Sequence, residues 1–149
     1  MPRALLRRAY DEGTNGGIEH RVRSTIPAPA GHAPGNGEYY QQQGQERYLS
    51  ELGVIGYDCS GFVTAVYRQA GIELGLRNTT WLESTNQFTT VSKSAMQPGD
   101  IIVQGGRHVV IFIGNGQVVQ STPPEVIVSS VSNYLSNSAY IARRYAGFM

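Results

Sequence analysis

One cysteine and three histidines are all that this 149-residue chain offers to thiol, imidazole or soft-metal chemistry. A single thiol excludes an intrachain disulfide. Neither C-x-x-C nor H-E-x-x-H occurs, so no zinc spacing exists and no metal is expected. Charge is just as sparse: 12 Lys and Arg oppose 11 Asp and Glu, for a net charge of +1. That balance argues against a nucleic-acid partner or an anionic membrane surface. Five arginines fall in the first 23 residues, but Asp11, Glu12 and Glu19 sit among them, as on a solvated face. No apolar run approaches the ~20 residues of a membrane-spanning helix. MPRALLRR leads into no long apolar segment and no A-x-A site, so the sequence predicts no signal peptide.

What is present describes one globular unit. Apolar residues make up 40% of the chain and charged residues 15%, enough to build a core at this length. PRALLRRAYDE (2–12) predicts a short helix, followed by a GTNGG loop. PAPAGHAPGNG (27–37) predicts irregular, exposed chain. Residues 1–37 therefore form an extension and 38–149 the main unit. EYYQQQGQERYLSELG (38–53) reads as a second helix ending at Gly53. The clearest helix starts at Cys59: Cys59, Phe62, Val63, Val66, Tyr67 and Ala70 make one apolar stripe. Asp58 suits its N-cap and Gly71 its C-terminal turn. A short helix is expected over 81–88, introduced by a capping box at Thr80-Trp81-Leu82-Glu83. After a Pro-Gly turn at 97–100, strands are predicted at 101–104, 108–113, 117–122, 126–131 and 140–145. Helices first and an antiparallel sheet second make the class α+β.

Cys59 opens its helix, near the free N–H groups and the positive end of the macrodipole, a setting that favours thiolate. Ser60 and Gly61 keep its surroundings small. A thiol nucleophile needs a base. His20 and His32 lie in polar or Pro/Gly-rich loop sequence, whereas His108 opens an apolar strand, where an imidazole requires partners. The following hairpin selects a third group. A two-residue Asn115-Gly116 loop would set Ile111 opposite Gln120 and turn Gln120 away from the His108 face. A three-residue loop at 114–116, with Gly116 left-handed in a bulge, would pair Ile113 with Gln117 and Val110 with Gln120. Gln120 then lies beside His108, both toward the helix of Cys59, with its oxygen able to accept from one ring nitrogen. The bulged register is the one expected.

DCSGFV (58–63), QPGDIIV (97–103) and RHVVIFIGNGQVVQS (107–121) together resemble the NlpC/P60 family of cysteine peptidases in order, spacing and flanking residues. The resemblance implies a papain-like α+β fold, with a helix carrying Cys at its N-terminus packed on an antiparallel sheet. It implies Cys59 as nucleophile, His108 as base and Gln120 as the third catalytic residue, with no cofactor. Asp58, Ser60 and Tyr48 are the candidate substrate-binding residues. The family's Tyr-x-Trp-Gly-Gly-like motif has no clean copy here; Tyr48 in ERYLSEL and Tyr10 before Gly16-Gly17 are the two candidates. The implied activity is amide cleavage in peptidoglycan stem peptides, including the bond between D-glutamate and a diamino acid, by a monomer acting on the bacterial wall. A secreted enzyme, a phage lysin and a domain of a larger protein all fit. The same fold also serves CHAP-like amidases and Cys/His acyltransferases, and an inactive wall-binding module is the non-enzymatic alternative.

Overall fold

A computed structural model describes residues 22–23, 46–49, 54–122 and 125–149. The predicted helix at 2–12, Tyr10, His20 and His32 lie outside them. Among the described residues nine strands form one sheet: β1 (Val22–Arg23), β2 (Glu46–Leu49), β3 (Val54–Tyr57), β4 (Phe88–Val91), β5 (Ile101–Gln104), β6 (His108–Gly114), β7 (Gln117–Thr122), β8 (Glu125–Ser130) and β9 (Ile141–Tyr145). Their order is β2-β3-β1-β8-β7-β6-β5-β9-β4. All neighbours are antiparallel except the β1–β3 pair. Among the described residues the sheet is accompanied by three α-helices, α1 (Cys59–Gln69), α2 (Thr79–Ser84) and α3 (Ser132–Leu135), and by two short 3-10 helices, Lys93–Ala95 and Ala146–Phe148.

The segment read as a helix over 38–53 is a correction. Residues 46–49 are β2, paired with β3 in the register Glu46↔Tyr57 to Leu49↔Val54. Gly53, read as the stop of that helix, lies outside the described residues. Val54 and Ile55, with branching at Cβ, favour the extended partner that draws ERYL into the sheet. β4 was also missed, because Phe88 was absorbed into the helix expected at 81–88. That helix is α2, displaced toward the N-terminus. Asn78 caps it, its side chain accepting from the Trp81 N–H at 2.8 Å. Asn is a stronger N-cap than Thr. Glu83 completes no capping box: its carboxylate accepts from the Gly105 N–H at 2.7 Å.

α1 is the longest helix among the described residues and is largely buried. The Asp58 carboxylate accepts from the Gly61 N–H at 2.7 Å and caps its start. At its end Gly71 adopts φ +89°, and the Gly71 and Ile72 N–H groups return to the carbonyls of Arg68 and Tyr67, the Schellman arrangement. Every residue from Cys59 to Tyr67 is buried. The predicted stripe described only one side. The other sides carry Ser60, Gly61, Thr64 and Ala65, residues small enough for neighbours to close over them. Thr64 satisfies its hydroxyl on the Gly61 carbonyl at 3.0 Å. The Tyr67 hydroxyl donates to the Gly99 carbonyl at 2.7 Å, tying the helix to the turn before β5.

The sheet sorts its residues by pleat. Ile101, Val103, Val109, Ile111, Ile113 and Val119 pack with α1 in the main core. Ile102, Val110, Val118 and Val131 form a second, smaller cluster with Met96, Phe112, Tyr134 and Tyr140. The buried Arg143 of β9 donates to the Leu82 and Phe88 carbonyls, joining α2 and β4.

The β6–β7 hairpin departs from expectation in an instructive way. Its tip is a two-residue turn closing Gly114 on Gln117, with Asn115 at φ +54° and Gly116 at φ +69°. Positive φ at both central positions is the type I′ geometry. A bulge between Phe112 and Gly114 then shifts the register, so that Ile111 faces Val119. The expected three-residue loop and Ile113–Gln117 pair are corrected by this turn; Ile111 opposite Val119 matches the expected alignment beyond the bulge, which sits before the turn, where Gly114 takes φ +88°. Gly116→Val is expected to destabilise by about 1–3 kcal/mol through left-handed strain alone. A Cβ there meets nothing within 4 Å, so no clash contributes. A thermal melt indistinguishable from wild type would reject the turn assignment.

Candidate active site

Cys59 is the first residue of α1 and is fully buried. The backbone N–H groups of Val109, Ser60 and Cys59 itself draw its pKa down. The thiol therefore lies against the start of β6, one residue on from His108. Burial nevertheless dominates, and the Asp58 charge adds to it: together they push the thiol up to about 12. This corrects the expectation of a thiolate. The helix terminus does act on the sulfur, but removal of water and a carboxylate next door outweigh it. Burial and the neighbouring carboxylate favour the neutral thiol. Iodoacetamide alkylation of Cys59 in the ligand-free protein is thus expected to be slow near neutrality and to keep accelerating above pH 9.0, the ordinary thiol value. A rate that levels off near neutrality would instead show a thiolate already formed.

His108 lies on the pleat of Val110, with its ring Nε2 2.6 Å from Gln120 Oε1. An amide oxygen only accepts, so the imidazole donates through Nε2 and its basic lone pair is on Nδ1. Burial lowers the His108 pKa from 6.5, and the Gln120 hydrogen bond opposes that shift. Gln120, itself buried, donates through Nε2 to Ser129 Oγ at 2.6 Å. Its oxygen also accepts from the Tyr134 hydroxyl at 3.0 Å. His108 and Gln120 share the face of the smaller cluster, and not, as expected, the face that α1 covers, because Val109 and Val119 alternate with them toward the helix. Burial raises the phenols of Tyr134 and Tyr140, and a small contribution from Cys59 adds to each.

The loop entering β6 is held from α2. Gly105 and Gly106 donate their N–H groups to Glu83 and to the Thr79 hydroxyl, at 2.7 and 2.9 Å. Of the candidate substrate-binding residues, Asp58 is engaged as the helix cap. The Ser60 hydroxyl is buried without a hydrogen-bond partner among the described residues. Tyr48 belongs to β2, and its side chain lies outside the described residues. Among the described residues no three His, Cys, Asp or Glu side chains gather as a metal site requires. Ser129 and Tyr134 went unnoticed in the sequence; Tyr134 stands in a four-residue helix too short to show a period.

The family model described as NlpC/P60 family matches residues 37–145. The chain belongs to the NlpC/P60 family. Among curated NlpC/P60-like relatives, Murein DD-endopeptidase MepS/Murein LD-carboxypeptidase of Escherichia coli (strain K12) is 42% identical over 96 residues, covering 60% of this chain and 47% of that protein. Probable endopeptidase p60 of Listeria seeligeri is 40% identical over 73 residues, covering 46% of this chain and 13% of that protein. The matches thus span about half or less of these relatives' length. Solved structures share the NlpC/P60 fold. The NlpC/p60 domain of peptidoglycan hydrolase SagA superimposes with a TM-score of 0.55 at 22% identity, over 97% of this chain and 98% of that one. The peptidoglycan hydrolase RipB of Mycobacterium tuberculosis does so with a TM-score of 0.58 at 20% identity, over 97% and 66%.

Proposed function

We propose that this NlpC/P60 domain is a peptidoglycan peptidase that cleaves an amide bond of wall stem peptides by acyl transfer through Cys59. The observation that carries the reading is the hydrogen bond from His108 Nε2 to Gln120 Oε1 at 2.6 Å, at the strand start against which the only thiol lies. It leaves Nδ1 as the base. In the proposed cycle Nδ1 takes the thiol proton as sulfur attacks the substrate carbonyl. The oxyanion of the tetrahedral intermediate forms beside the N-terminus of α1, where the Cys59 N–H and the macrodipole favour negative charge. His108 then protonates the departing amine, and afterwards activates water to hydrolyse the thioester. Because the thiol is raised and the imidazole lowered, proton transfer and attack are coupled, with no ion pair stored at rest.

The E. coli relative is named a DD-endopeptidase and LD-carboxypeptidase, which favours a DD bond as a second candidate beside the bond after D-glutamate. The test is digestion of purified peptidoglycan with mass spectrometry of the released fragments. Free D-glutamyl termini support the first bond and severed DD cross-links the second. Release of intact stem peptides from the glycan would show an amidase. Intact wall would overturn the reading.

A further inference from the structure

Tyr134 lies on α3, outside the three motifs at 58–63, 97–103 and 107–121. Its hydroxyl and the His108 ring converge on one atom, Gln120 Oε1, at 3.0 and 2.6 Å. That convergence addresses a weakness of glutamine in this position. The two ends of a primary amide are nearly alike in shape, and a half-turn about the last bond exchanges them. With nitrogen toward the ring, Gln120 would donate to Nε2 and force the ring proton onto Nδ1, the atom required as base. A phenol is a better donor and a poorer acceptor than an alcohol, because its lone pair is delocalised into the ring. Tyr134 therefore favours the oxygen end, while the Ser129 hydroxyl, 2.6 Å from Gln120 Nε2, suits the nitrogen end.

The phenol is well anchored for this task. Its ring meets Tyr140 edge-on at 5.1 Å and 82°, and lies 6.3 Å from the imidazole at 30°. The Val131 N–H, at the head of α3, donates to the Gly116 carbonyl at the hairpin tip at 2.9 Å. Lys93 Nζ donates to the Asn137 carbonyl at 2.7 Å just beyond the helix.

We propose that Tyr134 is a positioning residue: by donating to Gln120 Oε1 it fixes the amide and so holds His108 in the Nε2–H tautomer that leaves Nδ1 free to act as base. The proposal rests on the Cys59–His108–Gln120 reading for its catalytic consequence, but the tautomer itself can be measured without substrate.

The test is Tyr134→Phe, which keeps the ring and its contact with Tyr140 and removes only the hydroxyl. Long-range 1H–15N correlation spectra of histidine-labelled protein report which nitrogen of His108 carries the proton. Wild type is expected to show the Nε2–H form, and Tyr134→Phe an added Nδ1–H population. Its kcat should fall about 2- to 10-fold, the range of one hydrogen bond, with KM unchanged. In a Gln120→Ala background the same substitution should cause no further loss, because Tyr134 acts through Gln120. A His108 tautomer unchanged in folded Tyr134→Phe overturns the proposal, as does an equal loss in both backgrounds. Full activity in Gln120→Ala alone would overturn the catalytic reading instead, and a shifted tautomer in Tyr134→Phe would still uphold the positioning role.

Discussion

Cys59→Ser is expected to lose peptidoglycan cleavage by a factor on the order of 10⁴ or more, the scale of nucleophile deletion in acyl-transfer enzymes. The fold should survive. A serine hydroxyl is close to a thiol in size, and the N–H groups of Ser60 and Val109 that face the sulfur can be accepted by an oxygen. What is lost is chemistry. In the proposed mechanism the thiol becomes a strong nucleophile when His108 takes its proton, whereas an alcohol in the same place holds its proton far more tightly. Fragment release measured by mass spectrometry, beside a thermal melt, checks both halves. Near wild-type turnover in a folded Cys59→Ser protein would remove Cys59 from the mechanism.

His108→Ala should cost about 10²–10⁴-fold, the usual contribution of a positioned proton-transfer group. The loss has a pH signature. The ring must be neutral to act as base, and burial lowers its pKa below 6.5. The acid limb of kcat/KM is therefore expected below pH 6.5 in wild type and should vanish in His108→Ala. Stability follows with the same sign. The unfolded chain binds the proton more tightly than the folded one. Folding is thus fully supported above the unfolded value and weakens as pH falls below it toward the folded pKa. Gln120→Ala should be milder than His108→Ala, because in the proposed mechanism Gln120 orients the ring and moves no proton. Equal losses in two folded variants would give Gln120 another role, and an acid limb that persists without His108 would assign it to another group.

Much of this site was legible from residue types at their spacings. The helix at Cys59 announced itself through its apolar stripe, Asp58 and Gly71, since caps and periodicity are local properties of consecutive residues. Strands β5 to β9 were likewise legible, because branched residues alternate between Pro-Gly and Asn-Gly turns. Segments of weak local preference were lost: ERYL became β2 only because Val54–Tyr57 offered a partner, and Phe88 was drawn from an expected helix into β4 beside β9.

The sequence by itself determined the family, the class of fold and the order in which Cys59, His108 and Gln120 meet their elements, because these depend on short motifs and strand spacing. Tertiary structure decided the rest. The bulge before Gly114 set which face Gln120 occupies, a choice that one residue of slippage reverses. Packing around α1 turned a helix-terminal thiol from a favoured anion into a neutral group, because desolvation depends on every element closed over the sulfur and a motif contains none of them. Tyr134 and Ser129 reached Gln120 from 14 and 9 residues away, through strand pairing that no periodicity of their own segments records.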